Sequence, residues 1–118
     1  MFSSPFISDV TTQTLSQAMR GLDAQRMAHE QNIANIETPG YLAQKVDFAS
    51  SLRRALDRDR LEDAEIEVSN SVLATRLDGN NVRLDDEITG LTQTQLHQDL
   101  VTAALNSRYR LLRTSWGR

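Results

Sequence analysis

"NIANIETPGYLAQKVDF", residues 32–48, is where this chain changes character. Asn32 and Asn35 are poor helix formers, yet they close a segment that otherwise reads as one long helix. Pro39 pushes Thr38 out of the helical region, and Gly40 leaves the backbone free to turn. Beyond Tyr41, "YLAQKVDF" partly alternates polar and apolar residues, the pattern of an extended segment.

Upstream, the helix reads from about Asp9 to Glu37. At about 1.5 Å per residue that is a rod on the order of 40 Å long. Leu15, Met19, Leu22, Ile33 and Ile36 fall in steps of three and four once Arg26 and His29 fill two slots, a heptad seam with a polar middle. Ser8, Asp9 or Thr11 is available as N-cap. Gly21 is the helix-weakening glycine inside this segment.

Downstream, "SLRRALDRDRLEDAE" reads as a short charged helix or a loop. "EIEVSNSVLATRL" has weak strand character. The "DGNN" at 78–81 is a turn signal, after which "VRL" at 82–84 would close a hairpin. From Asp85 to Ser115 a second long helix is expected. Asp85, Asp86 and Glu87 sit at its start and Arg108, Arg110 and Arg113 near its end, as the helix macrodipole favours. Ile88, Leu91, Leu105, Tyr109 and Leu112 form one apolar seam; Leu96, Leu100, Ala104 and Leu111 form a second, offset one. Two stripes on one helix imply more than one helical neighbour.

The expected fold is therefore mainly α. Long N- and C-terminal helices pair as an antiparallel coiled coil, with a small irregular or β-hairpin insert between them. The divisions are 1–40, 41–84 and 85–118. Helices of this kind are marginal in water alone and draw their stability from packing.

Composition narrows the function. Only 5 % of the 118 residues are aromatic, which suits helices packed side by side better than a β-sandwich. With a net charge of −3, and acids interleaved among Arg53, Arg54, Arg58 and Arg60, no nucleic-acid stripe is present. There is no cysteine, hence no disulfide and no thiolate chemistry. The apolar run "LVTAAL" at 100–105 is far too short to insert in a bilayer. The start, "MFSSPFISDV", lacks the basic and apolar regions of a signal peptide, so any export is expected to use another route.

Catalysis finds no foothold. His29 and His97 lack a partner at metal-binding spacing, and His29, beside Arg26 and Glu30, reads as a seam or surface residue. No serine lies in a nucleophile elbow, "DGNN" lacks calcium-loop ligands, and no phosphate loop exists. No catalytic residue, metal or cofactor is expected. The asparagines keep two readings open: Asn35 eases the last turn while Asn32 faces solvent, or both hydrogen-bond across a helix interface and set its register.

"NIANIETPGY" resembles the signature of the bacterial flagellar rod, hook and hook-associated protein family, matching it at Asn32, Ile33, Ala34, Asn35, Thr38, Pro39, Gly40 and Tyr41. "VDFASSL", with Asp47 and Phe48, and "LDGNNVRLDDE", with Asp78, Gly79 and Asn80, resemble segments of its short proximal rod members. Larger family members carry middle domains for which this chain has no room. The insert is shorter than usual, and Thr94 and Gln98 stand where the family often has asparagine and tyrosine.

The resemblance implies a structural subunit of the rod, the hollow drive shaft between the inner-membrane ring and the hook. Its implied partners are other rod proteins, further copies of itself, the inner-membrane ring with its rod-base adaptor and, in transit, the flagellar type III export apparatus. Another short rod or adaptor subunit, or a cytoplasmic helical-hairpin adaptor or export chaperone, is the rival expectation.

Overall fold

The computed structural model describes residues 3–116. It is mainly helical: α1 (Ser3–Ala34), β1 (Gln44–Asp47), α2 (Ala49–Asp57), a 3₁₀ turn (Leu61–Asp63), β2 (Glu67–Asn70) and α3 (Leu84–Trp116) follow in order. The described residues span 65 × 27 × 14 Å, an elongated slab.

The first helix differs from expectation at both ends. It starts at Ser3, so Ser8, Asp9 and Thr11 lie inside it and cap nothing; the side chains of Ser8 and Asp9 lie outside those described. Pro5 does not block this start, because a proline in the first turn lacks only an N–H that the helix leaves unpaired anyway. The helix stops at Ala34, three residues before Glu37. There the Asn35 N–H is shared between Gln31 O (3.0 Å) and Asn32 O (3.2 Å), and Ile36 N bonds Ile33 O (3.3 Å). The tightened turn runs into Pro39 and Gly40, whose φ of +76° suits glycine.

Between the long helices the small sheet pairs β1 with β2, antiparallel, with Gln44 opposite Asn70 and Asp47 opposite Glu67. This corrects the expected hairpin. "VRL" is not a strand; the partner of 67–70 is the distant 44–47. The reason lies in "DGNN", whose asparagines bind backbone elsewhere and lead the chain into α3 at Leu84 instead of into a returning strand.

The charged run does form a helix. In α2, Ser51 and Ala55 are buried, Leu52 is half-buried, and Arg53, Arg54 and Asp57 face outward. Asp59, at φ +57°, ends it in the left-handed region that aspartate tolerates.

The two long helices lie against each other, with contacts in opposite chain order. His29 meets Glu87, Gln25 meets Thr94, and Met19 and Asp23 meet Gln98. Two glycines permit close approaches to α1. A Cβ on Gly90 would lie 2.5 Å from His29 Cε1, and one on Gly21 would lie within the Phe48 ring.

Little apolar mass is buried. Among the described residues the buried hydrophobic ones are Leu22, Ala28, Ala43, Ala55, Leu61 and Val82, half of them alanines. Of the expected seam, Leu22 is buried and Leu15, Met19, Ile36, Leu91, Leu105 and Leu112 are half-buried, but Ile88 and Tyr109 lie exposed. The α1-facing side of α3 instead runs through buried Glu87 and Thr94.

Candidate functional site: an asparagine clasp

Among the described residues the largest fully buried side chains are Asn32 and Asn80. The signature stretch is built around them.

Asn32, on the last turn of α1, is 1 % exposed. Its Oδ1 accepts from Tyr41 Oη (3.0 Å) and from the Gln44 N–H (2.8 Å). Its Nδ2 donates to Gln44 O (3.0 Å) and to Glu87 Oε1 (2.8 Å). Both donors and both acceptor positions of the amide are used. Toward Gln44 the side chain imitates a neighbouring strand, closing the free edge of β1. Toward Glu87 it ties α1 to the first turn of α3.

Glu87 Oε1 also accepts from His29 Nδ1 at 2.8 Å, so that nitrogen carries a proton. Arg26, the nearest cation on α1, is turned away into ion pairs with Asp23 (2.9 Å) and Glu30 (3.0 Å). The Arg26 hydrogen bond holds the Asp23 carboxyl below its ordinary range. Burial pushes the Tyr41 phenol up from its ordinary range, and the charge of Glu87 adds to this.

Asn80, fully buried, staples the turn. Its Nδ2 lies within 2.9 Å of Asn35 O and Thr38 O and 3.1 Å of Ile36 O, carbonyls of the turn that follows α1. Its Oδ1 accepts from Val82 N (2.7 Å). Asn81 works on the other side: Oδ1 accepts from Ala43 N (2.6 Å), and Nδ2 donates to Ser71 O (3.0 Å) and Leu73 O (3.2 Å). Gly40 N donates to Asp78 O (2.8 Å), and a Cβ on Gly79, whose φ is +83°, would lie 3.2 Å from Gly40 Cα. Arg76 completes the clasp with bonds to Ile36 O and Val82 O.

The site residues expected from the sequence thus divide. Asn32, Tyr41, Gly40, Asp78, Gly79 and Asn80 come together in the clasp. Asn35 and Thr38 contribute their carbonyls, while the Asn35 side chain stays local, donating to Gln31 O (2.8 Å) and accepting from Thr38 Oγ1 (3.1 Å). Ile33 is half-buried, and Ala34 and Pro39 are exposed. Asp47 Oδ1 accepts from Ser50 N (3.3 Å) in the first turn of α2, and Phe48 covers Gly21. Four participants lie outside the expected site residues: Glu87, Asn81, Arg76 and His29, which the sequence reads as a seam or surface residue. From sequence Glu87 reads only as a helix-dipole acid and Asn81 only as a turn residue, because their partners lie 8 to 58 positions away.

A cavity of about 310 Å³ opens beside the clasp, lined by Ala28, His29, Lys45, Val46, Leu73 and Arg83 among others. No group of histidines and carboxylates among the described residues is placed to hold a metal ion. His97 is exposed on α3.

These features define a helical protein whose signature turn is a polar clasp, its buried groups satisfied by one another. No family model matches the chain. Individual proteins do. It is 31 % identical to flagellar basal body rod protein FlgB of Bacillus subtilis (strain 168) over 117 residues, covering 88 % of this chain and 91 % of that relative. It is also 31 % identical to the Escherichia coli (strain K12) protein of the same name over 100 residues, 65 % of this chain and 71 % of that one. The chain belongs to the family of flagellar basal-body rod protein FlgB.

Proposed function

We propose that this protein is a structural subunit of the flagellar basal-body rod, near its proximal end. The likeness to FlgB of Bacillus subtilis along most of both chains is the observation that carries this reading. The clasp supports it, because the buried amides of Asn32, Asn80 and Asn81 are spent on holding the signature turn in one shape. The subunit polymerises with other rod proteins and with its own copies into a hollow shaft that transmits torque and conducts exported axial proteins. In that shaft α1 and α3 pack as an antiparallel coiled coil, and the clasp sets their register. The subunit reaches the periplasm-spanning rod through the type III export apparatus and meets the inner-membrane ring and rod-base adaptor there.

Deletion of the gene in its host, followed by electron microscopy of basal bodies, tests this. Rings without a rod, restored by complementation, are expected; an intact rod and hook would overturn it. Asn32→Ala is expected to impair rod assembly more than secretion.

A further inference from the structure

The apolar side chains left exposed lie on particular faces. On α3, Leu96, Leu100 and Leu111 are 57, 60 and 60 % exposed, on the face turned away from α1. The stripe runs into the most basic part of the chain. Residues 106–118 contain Arg108, Arg110, Arg113 and Arg118 and no acid, a formal charge of +4. Arg110 and Arg113 are exposed and form no ion pair with another described residue.

The opposite charge is concentrated in the insert. Residues 57–67 hold Asp57, Asp59, Glu62, Asp63, Glu65 and Glu67 against Arg58 and Arg60, a formal charge of −4. Including Arg53 and Arg54 leaves it at −2. Among the described residues only Glu67 of these acids has an ion-pair partner, Arg54 at 3.6 Å. Exposed Leu56 and Val68 flank the segment, so it too carries apolar surface.

These two regions do not meet within one chain. Helix α1 stands between them: Met19, Asp23 and His29 face α3, whereas Gln17 and Gly21 face the insert. We propose that the leucine and arginine face of α3 docks on the acidic 57–67 segment of a second copy. This contact deepens the reading of the chain as a self-associating subunit and rests on it. It joins unlike surfaces, so each copy keeps one free face of each kind. Such heterologous contacts extend an array when the rotation does not close. The leucines supply burial, and the charges set partner and register.

A charge-exchange pair tests it by sedimentation velocity at low salt, with circular dichroism confirming helicity. Arg110→Glu with Arg113→Glu brings the 106–118 charge from +4 to 0, and Asp63→Arg with Glu65→Arg brings the 57–67 charge from −4 to 0. Each double variant alone is expected to need roughly tenfold higher concentration than the parent to associate. An equimolar mixture is expected to form pairs at parent concentrations but no longer arrays. The basic α3 face of the insert variant meets the acidic insert of the α3 variant, while the two neutralised faces have no partner. Parent-like association of either variant alone, an inert mixture, or a parent that stays monomeric would overturn the contact. If basal bodies of the deletion strain still lack a rod, the rod subunit stands and only this contact falls.

Discussion

The two halves of the helix pair are held by different forces. At the clasp end, α1, the β-sheet, the 71–82 loop and α3 meet through buried asparagine side chains hydrogen-bonded at both amide atoms. Along the rest of the pair, the side-chain contacts are longer polar ones, Gln25–Thr94 at 3.4 Å and Asp23–Gln98 at 3.3 Å, and half-buried leucines. Buried hydrogen bonds are directional and costly to leave unmade, whereas partly buried leucines are interchangeable and slide. One end is specified to a register; the other only needs an apolar neighbour.

The contrast is best broken at Asn32. Asn32→Ala removes a partner from Glu87, Tyr41 and both main-chain groups of Gln44, and is expected to cost about 3 kcal/mol, read as a lower urea midpoint at unchanged slope. A loss under about 0.5 kcal/mol would place the amide in solvent after all. Asn80→Ala, which takes a shared donor from three carbonyls and an acceptor from Val82 N, is expected to cost about 2 kcal/mol by the same measurement.

Gly90→Ala probes the junction of the two regions. Its added Cβ meets the His29 ring, so helix propensity improves while packing worsens, with a net loss of about 1 kcal/mol. Thermal melting of the variant, with and without His29→Ala, should show the loss only when the imidazole is present.

Tyr41 supplies a pH signature. Its folded-state pKa is raised, so its contribution is complete below the ordinary phenol value, about 10, and is lost as pH rises through the higher folded value. Urea midpoints should fall in alkaline solution for the parent and fall less for Tyr41→Phe. Equal slopes would mean that the phenol is not buried beside Glu87.

The smallest effect is expected on the outer face of α3. Leu100→Ser should change the stability of the isolated chain by no more than about 0.5 kcal/mol, since the side chain is already exposed. Hydrogen exchange would sharpen the same comparison, with slow amides around Asn32 and Asn80 and faster ones in the C-terminal third of α3.

The sequence by itself determined the helical class, the break at Pro39-Gly40, the second helix from the acids at 85–87 and the leftover leucine stripe. These follow from propensity, periodicity and capping, which act within a few residues of each other. It also carried the signature asparagines but left open whether Asn32 faces water. Only the tertiary structure decided that, together with the pairing of 67–70 with 44–47 and the use of Glu87, Asn81 and Arg76. Each depends on groups far apart in the chain meeting in a buried place. A polar side chain there has one low-energy arrangement, and no local pattern records which distant atom completes it.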